Sequence, residues 1–455
     1  MRPRTVSWVV VSAVILLLLV SCNSGDLPGK KKSESEQVQA SPVAPLASSA
    51  VVEEPSEIAL PSLTVEQRLE DFDYMWKIIE ENYPFLEVNK RLNGEDWLAK
   101  KEEYRNKIAA VKSDDEFLKR MRFVLSRLNN GHTNFISKEE YPWYLHTYAQ
   151  LGFGFEPWVN VFQQPNVLAR YNQKPLAEQQ SSNDINNDMH NGGDGVGDVT
   201  KKTSGNVKKV IIEPDRIAYL GMQSFDGSLM EMDSSEIHDF LIEVKDYKTL
   251  ILDIRGNGGG NSNYWRIHLV PMLINKPIEY NTYLLYTRGK YAETFMQARQ
   301  ITKGQQPIAG IKDEQLPKLP TEALKMFKTY RKTNDVVTPN KSVGFKGKIY
   351  LLVDSSVYSS SEGLAAFVKG TGFATVVGGR TGGDGLGIDP LVVALPNSGY
   401  LFRFSFEMGL NSDGSCNEEV KTVPDVEVDP DKSKPLLDQP AIKKVLELAR
   451  SDTSA

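Results

Sequence analysis

Tyr350-Leu-Leu-Val-Asp354-Ser-Ser-Val-Tyr-Ser359-Ser-Ser-Glu362-Gly-Leu-Ala-Ala-Phe-Val368 reads as a strand, a short turn and a helix. A serine at the head of such a helix holds its hydroxyl near the positive end of the helix dipole, and the amides of the first turn have no intrahelical partner. That arrangement stabilises developing negative charge. Capping is the plain structural role for such serines, yet Ser359, Ser360 and Ser361 cannot all be the cap.

The same order occurs earlier in the chain. Leu250-Ile-Leu-Asp-Ile254 is a buried-type strand that runs into Arg255-Gly-Asn-Gly-Gly-Gly260 and then a helical segment from Asn261. Consecutive glycines at a strand-to-helix turn let backbone N–H groups face a cavity and approach a ligand closely. No Gly-Lys-Ser/Thr follows and the spacing is not a dinucleotide fingerprint, so an oxyanion fits these donors better than a phosphate. A tight turn chosen only for its dihedrals is the equal alternative on this segment alone.

Around these two units the chain alternates. Strands are expected at 209–213, 216–224, 249–254, 281–287, 348–353, 374–378, 390–395 and 400–406, and helices at 233–246, 261–272 and 360–370. The pattern predicts an α/β fold, a sheet covered by helices. The 288–342 stretch, rich in Lys and Gln, reads as a helical insertion. An N-terminal helical region precedes the sheet. Thr64 with Gln67 forms a capping-box pattern, and Val65, Leu69, Phe72, Met75, Ile79 and Tyr83 recur at helical spacing. A second helix is expected over 96–111. A third starts at Ser113 with Glu116 as its partner and stops at Asn129-Asn130-Gly131, directly before His132.

A serine nucleophile needs a base. Five histidines are available, and none has the spacing of a metal pair, so no metal and no cofactor is expected. His190 lies in a polar stretch, His238 and His268 sit in helical segments, and His146 lies among aromatics. His132 follows a helix end in a Gly-His-Thr loop, where a side chain can reach a cleft. The Gly/Asp run Asn191–Asp198 resembles one calcium repeat, but such repeats work as stacked arrays, so a loop is the reading.

The 455 residues carry 53 basic and 59 acidic side chains, a net charge of −6, which gives no reason to propose a nucleic-acid partner. Two cysteines exclude a disulfide scaffold. One of them, Cys22, closes an apolar segment, Trp8–Val20, that follows Arg2 and Arg4. Leu19-Val-Ser-Cys22 resembles a bacterial lipobox, in which the cysteine is acylated; a plain secretory signal or an uncleaved anchor is the alternative, and the lipobox is favoured because one of only two cysteines sits where it needs one. Residues 1–21 are then a lipoprotein signal peptide, 22–62 a disordered tether, and the body extracytoplasmic, held to a bacterial membrane by its lipid. Cys416 is left without a partner and reads as a packed thiol.

Five segments occur in the order of one family: Leu128-Asn-Asn-Gly-His132-Thr133, Leu252–Gly260, Ser359–Glu362, Val376-Val-Gly-Gly-Arg-Thr-Gly-Gly383 and Glu418-Glu-Val-Lys-Thr-Val-Pro-Asp-Val426. Across about residues 64–430 the chain resembles the tail-specific, or carboxyl-terminal-processing, serine peptidases, most closely their histidine-containing tricorn-like branch. The resemblance implies a helical domain at 63–150, a mixed-sheet ClpP/crotonase-like catalytic core at 209–432, and a C-terminal helix and tail at 433–455. It implies Ser359 as nucleophile, His132 as base and Glu418 as supporting acid, with Glu419 as an alternative. The oxyanion would rest on the N–H of Ser360 and that of Gly258 or Gly259. Two departures stand out. Asp384 occupies the segment where one branch carries a lysine base, with Lys369 placed too near to replace it, and Gly131 stands where some members link acid and base through a serine, leaving that link to Thr133 or water. A PDZ-like module is expected to be reduced or absent in 151–208. The implied activity is hydrolysis of protein or peptide substrates through an acyl-enzyme. The alternatives are an inactive relative that binds peptides or scaffolds the envelope, and a glycan- or lipid-binding lipoprotein.

Overall fold

A computed structural model describes residues 61–178 and 204–451 of the chain. The signal and tether readings, Cys22, His190 and the Gly/Asp run lie outside the described residues.

Helix α1 (Val65–Asn82) starts as expected: the Thr64 hydroxyl accepts from the Gln67 amide, and the Gln67 side chain accepts from the Thr64 amide. Helices α2 (Leu86–Asn93), α3 (Lys101–Ala109) and α4 (Asp114–Ser126) follow. The helix expected over 96–111 begins at Lys101, after one 3₁₀ turn at Leu98–Lys100. Phe72, Met75, Trp76, Trp97, Phe117 and Met121 bury between these helices, with Trp76 stacked on Trp97 at 3.6 Å. Three further helices, α5 (Tyr141–Leu151), α6 (Glu156–Phe162) and α7 (Pro165–Tyr171), extend the region beyond its expected elements. His146 is exposed on α5.

The main sheet has six strands in the order β13 (Val426–Glu427), β9 (Thr375–Gly378), β8 (Lys348–Val353), β4 (Thr249–Asp253), β3 (Ile217–Met222), β2 (Val207–Glu213). All neighbouring pairs are parallel except β2 with β3. Alternation sets its two faces. Leu220, Leu252, Leu351 and Val353 join one core with α8 (Met230–Glu243) and α12 (Ser360–Thr371). Tyr219, Ile251, Tyr350 and Leu352 face the other way, against α14 (Pro440–Ser451). Burying each such aliphatic side chain contributes about 1.5–3 kcal/mol. The helix expected over 261–272 is a π-helical stretch, Tyr264–Leu269, running into the short α9 (Val270–Leu273), where Pro271 lacks an amide donor.

A second, antiparallel sheet has the order β12 (Glu407–Leu410), β5 (Ile278–Tyr286), β7 (Thr329–Val337), β6 (Gln306–Pro307). It corrects the helical insertion expected over 288–342. Helices α10 (Lys290–Ala298) and α11 (Ala323–Met326) are there, but β7 pairs with β5 from Val337↔Ile278 to Thr329↔Tyr286. Its Thr, Tyr and Val residues favour extended backbone, and intervening Lys332 and Asn334 on the open side mask the strand signal. A third sheet joins β1 (Asn134–Phe135) to β11 (Leu401–Phe404) and β10 (Leu391–Ala394).

Candidate active site

Strands β4 and β8 are parallel neighbours, with Asp253 opposite Leu352, so their strand-to-helix turns leave the same sheet edge side by side. The two turns are locked together. The Gly256 amide donates to Asp354 Oδ1 at 3.0 Å, and the Ser361 hydroxyl donates to the Asn257 carbonyl at 2.5 Å. Gly259, at φ +106°, packs so closely that a Cβ there would lie 2.8 Å from Ser359 Cβ and 2.9 Å from the Ser360 amide nitrogen. The triple-glycine bend therefore meets the serine helix at Ser359.

Ser359 stands at the head of α12 with φ 56° and ψ −128°. A non-glycine residue held there stores about 1–3 kcal/mol of strain, and such strain clusters at working sites. The surrounding bonds enforce it: the Ser359 amide donates to the Gly383 carbonyl at 3.3 Å, and the Gly363 amide donates to the Ser359 carbonyl at 2.9 Å. The Ser359 side chain is half-buried, and the hydroxyl of the next residue, Ser360, is buried without a hydrogen-bond partner among the described residues. Ser360 is the first residue of the helix, so its amide points out of the helix without an intrahelical acceptor. Of the two glycine amides expected beside it, that of Gly259 is taken, donating to Asn257 Oδ1 at 2.9 Å. Gly258 is left as the second donor, and Gly259 provides the close approach.

The imidazole arrives through strand register. In the third sheet Asn134 pairs with Arg403, which sets His132 opposite Ser405. His132 Nδ1 lies 2.8 Å from Asp384 Oδ2. Asp384 Oδ2 also accepts from Ser405 Oγ at 2.6 Å and Asn130 Nδ2 at 2.9 Å. Burial by itself raises the Asp384 carboxyl; the facing imidazole and these donors outweigh it and hold the group below its ordinary value. A carboxylate here requires a proton on Nδ1, which leaves Nε2 as the free base. The ring lies against Tyr358, the residue before Ser359, with ring centroids 4.8 Å apart. No hydrogen bond joins His132 to Ser359 Oγ among the described residues; such contacts are commonly loose before substrate closes the site.

Glu418, expected as the acid beside His132, is not its partner. Its Oε1 accepts from Asn130 Nδ2 at 3.0 Å, and its Oε2 is buried without a hydrogen-bond partner among the described residues. Burial first, then the Asp384 charge, pushes its carboxyl well above the ordinary value and favours its protonated form. Glu419 does not reach the imidazole either. It forms two 2.7 Å hydrogen bonds with Arg91 of α2, which also holds Glu322. Thr133 is not a bridge: its hydroxyl donates to Asn130 Oδ1 at 2.8 Å. Lys369 pairs with Asp425.

Asp384, Asn130 and Ser405 are the site residues that sequence reasoning missed as participants. Glu362 was visible in its segment, but not its task. Its Oε1 accepts 2.8 Å bonds from Asn417 Nδ2 and Thr422 Oγ1, which binds α13 (Asn417–Val420) and the following loop to the serine helix. Burial raises its carboxyl to about 6. Cys416 is buried, and burial lifts its thiol above the usual range, as suits a packed residue. His268 donates or accepts at Ser234, 3.0 Å away, far along the chain from the site. Among the described residues no cluster of three His, Cys, Asp or Glu side chains is arranged to hold a metal ion.

Comparison with known proteins bears on the family and the fold. The sequence pattern of Peptidase family S41 matches residues 216–428, and that of the Tricorn protease C1 domain matches residues 64–122. No curated protein matches the chain. A solved candidate peptidase from Parabacteroides merdae is 19% identical, with a TM-score of 0.53 over 84% of this chain and 96% of that one. Mature CPAF is 12% identical, with a TM-score of 0.50 over 85% of this chain and 96% of its own. At these identities the likeness is one of fold.

Proposed function

We propose that this chain, which through residues 216–428 belongs to peptidase family S41 and is a serine-type peptidase, cleaves protein or peptide substrates internally, with Ser359 as nucleophile, His132 as base and Asp384 as the carboxylate that orients it. The observation that carries the assignment is the meeting of three remote segments. The glycine bend abuts Ser359, the His132 ring lies on Tyr358, and the Asp384 loop accepts the Ser359 amide through Gly383.

His132 Nε2 takes the Ser359 proton as Oγ attacks the scissile carbonyl carbon. The carbonyl oxygen becomes an oxyanion and takes hydrogen bonds from the Ser360 and Gly258 amides. Asp384 fixes the Nδ1–H tautomer and stabilises the imidazolium. That imidazolium then protonates the leaving amine, and the acyl-enzyme forms. Water attacks the ester with His132 again as base, and Ser359 recovers its proton.

An inactive relative was the rival reading, on the grounds that Asp384 replaces a lysine and Gly131 a serine. Contact of Asp384 with the imidazole gives that replacement a chemical task and removes the main reason for it. The lipobox-like segment ending at Cys22 supports an extracytoplasmic peptidase, acylated at that cysteine and tethered to a bacterial membrane. Among the described residues no helix is long and apolar enough to cross a membrane. The test is hydrolysis of an unstructured protein, wild type beside S359A, with products mapped by mass spectrometry. Internal fragments from the wild type alone support the reading. Equal cleavage by both proteins, or removal of terminal residues only, contradicts it.

A further inference from the structure

Asn130 lies two residues before the base, and its side-chain amide is used on both sides. Its Oδ1 accepts from the His132 amide at 3.1 Å and from Thr133 Oγ1 at 2.8 Å. Its Nδ2 lies 2.9 Å from Asp384 Oδ2, 3.0 Å from Glu418 Oε1 and 3.2 Å from the Tyr358 hydroxyl. One small side chain thus ties the backbone of the base to two carboxyl groups and to the residue before the nucleophile. These partners come from four separate parts of the chain, with sequence separations up to 288 residues. Asn130 is itself only 8% exposed.

We propose that Asn130 is a positioning residue of the peptidase site, aligning His132 with Ser359 and allowing Asp384 and Glu418 to share one buried pocket. The inference rests on the Ser359–His132–Asp384 reading above. Two carboxyl groups in one buried place oppose each other's ionisation. The uncharged amide of Asn130 lies within hydrogen-bond reach of both, adds no third charge, and leaves the charge to Asp384 beside the imidazole. The carbonyl end sets the loop by which His132 presents its ring. No other side chain among those hydrogen-bonded to Asp384 also holds the His132 backbone.

The substitution Asn130→Asp separates the two ends. It keeps an oxygen for the His132 amide and replaces the donor with a third carboxyl group. The groups facing it are His132 and Thr133 from its own loop, Tyr83 after α1, Tyr358 before α12, Asp384 and Ser405, and Glu418 of α13, with Glu362, Cys416 and Lys421 further out. Around neutral pH the added negative charge repels Asp384, and kcat should fall about 10–100-fold with KM changed little, the usual effect of a small misplacement. As pH is lowered, a proton returns to the cluster and restores a donor, so the ratio of wild-type to variant kcat should shrink. Asn130→Ser carries the same test without a charge: kcat falls and the ratio stays flat with pH. Both proteins are compared with wild type for folding by circular dichroism and for labelling of Ser359 by a serine-directed phosphonate. A folded Asn130→Asp or Asn130→Ser protein with wild-type kcat across the pH range overturns the inference, and should the Asp variant not fold, the Ser variant decides. Failure of the wild type itself to label overturns the underlying peptidase reading, and that outcome is distinct from the first.

Discussion

Oδ2 of Asp384 sits 2.8 Å from Nδ1 of His132, although 252 residues separate them in the chain. The contact assigns the proton to Nδ1 and leaves Nε2 to act on Ser359. It also divides the two buried carboxyl groups of the site by charge: Asp384 is held below its ordinary value and Glu418 well above it.

The division predicts unequal mutants. Asp384→Asn removes the charge that favours the imidazolium and no longer dictates the tautomer, so kcat should fall about 10³–10⁴-fold with the fold intact. Glu418→Gln replaces a carboxyl group whose protonated form burial favours with a neutral group of the same shape, and should keep most of the turnover. Steady-state kinetics on one peptide substrate decide the matter. A larger loss in Glu418→Gln than in Asp384→Asn would return the acid role to Glu418.

Ser359 predicts a reversal of the usual order of stability. At φ 56° and ψ −128° glycine is relaxed and alanine is not. Ser359→Gly should therefore unfold at higher denaturant than Ser359→Ala, by about 1 kcal/mol after allowing for the extra freedom of glycine in the unfolded chain. Both proteins should be inactive. Greater stability of the alanine protein would show that the backbone at Ser359 is unstrained.

Glu407 predicts a pH effect on stability. It is 2% exposed, accepts from the Ile388 amide at 2.8 Å, and has Oε1 without a hydrogen-bond partner among the described residues. Burial pushes its carboxyl up to about 7 from an ordinary 4.5. Between those values the folded protein keeps a proton that the unfolded chain releases. The contribution is thus present in full below the unfolded value and lost as pH rises through about 7. Relative to Glu407→Gln, which does not titrate, the wild type should lose roughly 3 kcal/mol between pH 4.5 and 8. Parallel stability curves for the two proteins would remove Glu407 as the cause.

Much of the core was legible because its information is local. The apolar run before Asp354, the glycines after Arg255, and the caps at Thr64 and Ser113 each specify their own backbone within a few residues. Helices α5 to α7 were not, since Tyr141–Tyr171 is crowded with aromatics that also suit strands, and none of the three has a side-chain cap. Strand β7 hid behind its polar, open face. The acid was misplaced for a different reason. Glu418 and Asp384 were both visible, but which carboxyl group meets His132 is set by the pairing of a two-residue strand, Asn134–Phe135, with Arg403 and Phe402. That register has no signature in either segment. Asn130 stood inside a recognised segment, but its five contacts exist only after four remote pieces of chain have met.

The most direct measurement of the central claim is covalent labelling by a serine-directed phosphonate, read by mass spectrometry on intact protein and on its peptides. Wild type should gain one adduct, on the peptide that contains Ser359. Ser359→Ala should gain none, and His132→Ala should label far more slowly while remaining folded. Equal labelling of wild type and Ser359→Ala, or an adduct at another residue, would contradict the assignment of Ser359 as the nucleophile.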